Sequence, residues 1–144
     1  MFVRNVLDAK GRRLVSIGPD AMVRDALSLF VEHNIGSLPV LDASGELVGI
    51  FTERDVLHGE CRDLKSFHAQ VIKEVMTADP ITCNPDDMVQ EVLGKMARHH
   101  VGALPVVDEG EVIGLVSMAD LIRALLDQAE AENEHLAAYL YGPG

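Results

Sequence analysis

Apolar and polar positions follow one order between residues 14 and 57, and the same order returns between 80 and 122. Each pass starts with a short β-rich run, LVSI at 14–17 and PITC at 80–83, which predicts a strand. Gly18-Pro19-Asp20 and Asn84-Pro85-Asp86 then punctuate the chain. Val23, Ala26, Leu27, Phe30 and Val31 recur at helical spacing, as do Val89, Val92, Leu93, Met96 and Ala97. Pro19 and Pro85 stand near these helix starts, where a missing N–H costs little, and Asp20 and Asp86 suit the positive helix end. SLPVLD and ELVGIF flank a turn at Ala43-Ser44-Gly45, and ALPVVD and EVIGLV flank Glu109-Gly110, so each pair predicts a hairpin. A second helix opens at Thr52 in one pass and at Ser117 in the other. Each pass therefore reads β-α-β-β-α.

The two passes are copies. Residues 16–34 align with 82–100 without a gap at an offset of 66, which falls to 65 after the unmatched Ser44. Self-similarity of this kind predicts two similar half-domains with clefts between them. The expected segments are a first repeat at 1–58, a linker at 59–70, a second repeat at 71–126 and an acidic amphipathic helix and tail at 127–144. In that tail Leu136, Tyr139 and Leu140 would be wasted on solvent, so it is expected to pack on the body or on a second subunit.

Composition narrows the function. With 144 residues and 48% apolar content the chain can bury a core, made without Trp. A net charge of −11 argues against a nucleic-acid surface or attraction to anionic membranes, but leaves room for a small anionic ligand held by a few local donors. The N-terminal MFVRNVLDAKGRR has no apolar run resembling a signal peptide, and no stretch suits a membrane span. Cys61 and Cys83 are scattered, as expected of reduced thiols in the cytoplasm. His99 and His100 point about 100° apart on a helix and lack a third ligand, so no metal site is expected. Neither a P-loop nor a dinucleotide fingerprint is present, and no nucleophile or acid–base constellation stands out, so no catalysis is expected.

The sharpest motif is Thr52-Glu53-Arg54-Asp55, matched by Ser117-Met118-Ala119-Asp120. Nowhere else does a Ser or Thr precede an Asp by three residues. One reading is structural: a hydroxyl N-cap with an acid at N3 forms a capping box. The other is functional: a helix start suits phosphate, and an Asp one turn along can hold a vicinal diol, so together they would hold a ribose phosphate.

The doubled pattern, IGSLPVLD and VGALPVVD followed by G-hydrophobic-x-S/T-x-x-D, resembles the CBS domain across about residues 3–57 and 71–126. A tandem pair resembles a Bateman module, here like the stand-alone bacterial proteins with a KGR segment before the first strand. The resemblance implies an α+β fold, an α/β sandwich of two repeats packed around a pseudo-two-fold axis. It implies clefts for adenine nucleotides (AMP, ADP, ATP, NAD or S-adenosylmethionine), Mg²⁺ as a possible companion, a homodimer and a regulated partner protein. By the same resemblance one cleft would use Thr52, Arg54 and Asp55 with Ala78, Ile81, Gly102 and Ala103. The other would use Ser117 and Asp120 with Lys10, Val15, Gly36 and Ser37, and His99 and His100 would face phosphate. Because Arg54 aligns with Ala119, the first cleft is expected to bind the tighter. The competing reading is an interaction protein whose clefts are vestigial.

Overall fold

A computed structural model of the chain describes residues 1–11, 13–63 and 65–142. Its elements are α1 (Val3–Lys10), α2 (Val23–His33), β1 (Ser37–Leu41), β2 (Leu47–Thr52), α3 (Glu53–Arg62), α4 (Ile72–Val75), β3 (Thr77–Ala78), α5 (Val89–His99), β4 (Ala103–Asp108), β5 (Glu111–Ser117) and α6 (Met118–Tyr141). A 3-10 turn at Phe67–Ala69 precedes α4. Both hairpins form, β1–β2 and β4–β5, and β3 adds antiparallel to β2.

The helices expected at 23–33 and 89–99 bury Val23, Ala26 and Phe30 in one copy and Val89, Val92 and Met96 in the other. Val31 and its counterpart Ala97 instead face solvent. The leading strands shrink to single parallel bridges, Ile17 to Val40 and Cys83 to Val106. The cause is proline. Ile17 N–H donates to Pro39 O (3.1 Å) and Ile17 O accepts from Leu41 N–H (3.0 Å). The next rung would need an N–H from Pro39, which has none. Pro105 stops the ladder at Cys83 in the same way, after bonds of 3.0 and 2.8 Å.

The N-terminal helix α1 precedes the expected β-α-β-β-α elements of the first repeat, although Val3, Val6 and Leu7 carry helical spacing. These three are buried in the second copy's core, beside Cys83, Val89, Val92, Met96, Leu104, Val106, Val116 and Leu121. The first core draws instead on the segment between the copies, since Phe67 and Ile72 pack with Ile17, Val23, Phe30, Leu38 and Phe51. Equivalent backbone bonds make both dockings. Val3 N–H donates to Asp87 O (2.9 Å), Arg4 N–H to Pro85 O (2.9 Å) and Val89 N–H to Met1 O (3.0 Å). Ile72, Lys73 and Val23 repeat these bonds to Ala21, Pro19 and Gln70 at 2.8, 2.9 and 2.9 Å. Salt bridges match as well, Arg4 with Asp86 and Lys73 with Asp20. The first core is thus contiguous in sequence, while the second is closed by the chain's own start.

Close approach explains three glycines. A Cβ on Gly49 would sit 2.4 Å from Met76 Sδ and 2.9 Å from Thr77 O, and one on Gly114 would sit 2.8 Å from Leu7 Cδ2. Gly59 is tighter still: its Cβ would fall 2.0 Å from Cε2 of the buried Phe67 ring. Gly59→Ala is therefore expected to cost about 2–3 kcal/mol through overpacking. Urea unfolding measures this, and a loss below about 0.5 kcal/mol would mean that Phe67 moves aside freely.

The tail does not fold back. Beyond Gln128 every described residue of α6 is exposed, which overturns packing on the body of the same chain. Among the described residues, no helix is long and apolar enough to cross a membrane.

Candidate functional site

Both S/T-x-x-D motifs form complete capping boxes. Thr52 Oγ1 accepts from Asp55 N–H at 3.3 Å, and Asp55 Oδ2 accepts from Thr52 N–H at 2.9 Å. Ser117 and Asp120 repeat this at 3.1 and 3.0 Å. The turn before each hairpin supplies a further cap: Glu53 N–H donates to Gly36 O (3.0 Å), and Met118 N–H to Gly102 O (2.8 Å). Each helix start thus satisfies three of its leading amides internally. Arg54 N–H and Ala119 N–H, at the second helical position, take no part in these caps.

A cleft of about 760 Å³ lies between the copies. It gathers Thr52, Arg54 and Asp55 with Ile81, Gly102 and Ala103, as expected of one site. Gly36, Ser37 and Ser117, which were expected on the other site, line this same cleft. His99 and His100 stand at its rim, where His100 caps α5 in the left-handed conformation (φ 54°). Ile50, Pro80, Val101 and Leu104 give it an apolar floor. Ala78 pairs with Gly49 in β3, and its neighbours Thr77 and Asp79 reach the cleft in its place.

Polar groups inside this cleft are already oriented. Thr77 Oγ1 donates to Asp55 Oδ1 at 3.2 Å, and Arg54 Nη1 donates to His100 O at 2.8 Å, bridging the copies. Glu53 places its carboxylate over Gly36, where a Cβ would meet Oε1 at 2.8 Å. Residue-type reasoning missed Glu53 and Thr77. Only the alignment of Glu53 with Met118 hinted at the first.

The second expected set is not brought together. Val15 packs against the first core. Lys10 and Asp120 meet in a separate outer pocket of about 510 Å³, beside Arg123 and Gln128. There Lys10 Nζ bonds Asp120 Oδ2 at 2.7 Å and Leu115 O at 3.0 Å, and Arg123 Nη1 approaches Asp120 at 3.7 Å. Burial pushes the Asp120 carboxyl up, but the bonds from Lys10 and Ser117 outweigh it and hold the group below its ordinary value. Asp120 is thus paired with a cation in an outer pocket, while Asp55, bonded by Thr52 and Thr77, lines the shared cleft.

A pH dependence follows. A carboxyl depressed in the folded state stabilises fully above the ordinary carboxylate value, and that contribution is lost as pH falls through the folded value. In Lys10→Met the Asp120 titration is expected to move upward, because burial then faces less opposition. Carboxyl-carbon NMR reads this directly, and an unmoved titration would mean that the Lys10 contact does not form in solution.

Elsewhere burial lifts the Cys83 thiol to about 12, which leaves it unreactive. Both cysteines are free, Cys61 exposed and Cys83 buried. Among the described residues, no three His, Cys, Asp or Glu side chains stand close enough to hold a metal.

Known proteins share this arrangement. The model of the CBS domain family matches twice, at residues 6–60 and 72–127. The inosine-5'-monophosphate dehydrogenase of Korarchaeum cryptofilum is 41% identical over 111 residues, which is 76% of this chain but only 22% of that enzyme. The crystal structure of the CBS-domain containing protein ATU1752 from Agrobacterium tumefaciens superposes with a TM-score of 0.83 at 31% identity, over 85% of this chain and 92% of that one. The CBS domain pair of protein MJ0100, solved in complex with 5'-methylthioadenosine and S-adenosyl-L-methionine, gives a TM-score of 0.78 at 29% identity over 89% and 98% of the two chains. With two matched repeats, the same mixed helix-and-sheet architecture and a cleft built from both copies, this chain belongs to the CBS-domain family as a tandem pair.

Proposed function

We propose that this chain is a non-catalytic regulatory module that binds one adenosyl ligand in the Asp55 cleft and passes the event on as a change in the angle between its halves. The observation that carries this is the content of that cleft. An apolar floor of Ile50, Ile81, Val101 and Leu104 suits a purine base. Asp55 suits the ribose diol, and Thr52, Arg54, His99 and His100 suit a phosphate or other polar end. The adenosyl ligands of the MJ0100 pair support the ligand class, which spans AMP, ADP, ATP, NAD and S-adenosylmethionine. Glu53, Asp55 and Asp79 also line the cleft, so a polyphosphate would bind best with Mg²⁺ to offset them.

Arg54 gives the ligand its leverage. Its bond to His100 O spans the two copies, so a phosphate that captures the guanidinium changes what holds the halves together. Ligand then favours one inter-repeat geometry by its difference in affinity, and a regulated partner protein reads that geometry.

Thermal unfolding with AMP, ADP, ATP, NAD and S-adenosylmethionine, with and without Mg²⁺, tests the reading. A true ligand at one hundred times its Kd adds about 2.7 kcal/mol of stability. If no member of the panel raises Tm at millimolar concentration, the reading fails. The completed capping boxes favour the alternative of a purely structural pair, which predicts that outcome.

A further inference from the structure

The last helix outruns the body. Leu121 is buried, and Ala124 and Leu125 pack on the second core, but from Ala129 onward every described side chain is exposed. Apolar residues nevertheless continue in a strict order. Ile122, Leu126, Ala129, Leu136 and Leu140 alternate by four and three, and Asn133 takes the remaining place. This is an a/d heptad row, with Ile122, Ala129 and Leu136 at d and Leu126, Asn133 and Leu140 at a. It lies about 100° round the helix from Leu121, so it is not part of the face that meets the body. Ile122, Leu126, Leu136 and Leu140 are 44%, 59%, 54% and 61% exposed.

We infer that this row pairs with the same row of a second copy, as a parallel two-stranded coiled coil projecting from the two bodies. Asn133 selects the occupant. Against an apolar groove its amide would lose water with no partner, at a cost of about 1–3 kcal/mol. In register with the partner's Asn133, each amide offers both a donor and an acceptor to the other.

Charge selects the direction. Leu125 and Glu132 occupy g positions, and Glu130 and Ala137 occupy e positions. A parallel pair sets Leu125 opposite the partner's Glu130 and Glu132 opposite the partner's Ala137, so no acid faces an acid. An antiparallel pair over the same six layers sets Glu130 opposite the partner's Glu130 and Glu132 opposite the partner's Glu132, and leaves Asn133 facing the partner's Ala129. Asp127 and Glu134 fall on the outer face in either case, which keeps the acidic charge of the tail in solvent.

The test is a cross-link. In a Cys61→Ser background, the full chain carrying Leu140→Cys is oxidised gently with glutathione disulfide. The expected result is a disulfide-linked dimer whose yield drops about tenfold or more when Leu126→Glu is added, because a buried a-position carboxylate opposes pairing. Leu126 is exposed in the single chain, so thermal unfolding should show the same body with and without that change. Absence of a covalent dimer, or a dimer indifferent to Leu126→Glu, overturns the proposal. A mixture in which the Leu140→Cys chain links preferentially to an Ile122→Cys chain overturns the parallel arrangement.

Discussion

Leu7→Ala should destabilise the whole protein by about 3–5 kcal/mol, the range for emptying a well-packed leucine site. Leu7 is 1% exposed, sits on Gly114 and touches the core that contains Val106, Val116 and Leu121. It reaches them from the far end of the chain, so the loss is felt more than one hundred residues away in sequence. Collapse around the cavity is hindered because Gly114 is already pressed against the leucine, with no side chain of its own to fill the space. A drop in Tm on the order of 10 °C should follow for a chain of this size. Urea midpoints with unchanged m-values would establish that stability alone has moved. A loss under about 1 kcal/mol would mean that α1 does not dock on the second repeat in solution.

Asp55→Ala should weaken adenosyl-ligand binding by about 10- to 100-fold, the equivalent of losing hydrogen bonds to a charged group. The same change removes the N3 acceptor of a capping box, so a stability cost of about 1 kcal/mol is expected beside it. Asp120→Ala should change binding less than about threefold, because Lys10 already holds that carboxylate at 2.7 Å outside the shared cleft. Titration calorimetry on both variants separates the readings. Equal losses would remove the asymmetry between the clefts, and an unchanged affinity in Asp55→Ala would leave that residue a helix cap and nothing more. Asp55→Asn is a useful control, since it keeps the shape of the side chain and its bond from Thr52 N–H while discarding the charge.

Features written in short-range pattern could be read directly from the sequence. Helical spacing located α2 and α5, the turn residues located both hairpins, and the hydroxyl-to-acid spacing located both capping boxes. Features decided by distant partners could not. Pro39 and Pro105 cut the leading strands to single bridges, and that becomes visible only once the register opposite them is known. The helix that carries Val3, Val6 and Leu7 closes a core drawn from the other end of the chain, which local spacing does not show. The candidate site divides in the same way. Residues flanking β2, β4 and α3 came together because the hairpins place them, whereas Val15 went into the core and Lys10 with Asp120 turned outward. Neither outcome was encoded in the residue type.

The interleaved cores set how this protein can be made and how it can move. Residues 15–76 can fold as they emerge, but the second core must wait, holding an exposed Val3-Val6-Leu7 face until residues up to about 125 have been synthesised. Neither half can then be excised by a single cut without opening a core. Two strands of backbone cross between the halves, one after α1 and one after β3, and two tethers suppress separation far more than rotation. A ligand bound in the cleft between them would therefore work against a hinge, with torsion as the motion available to it.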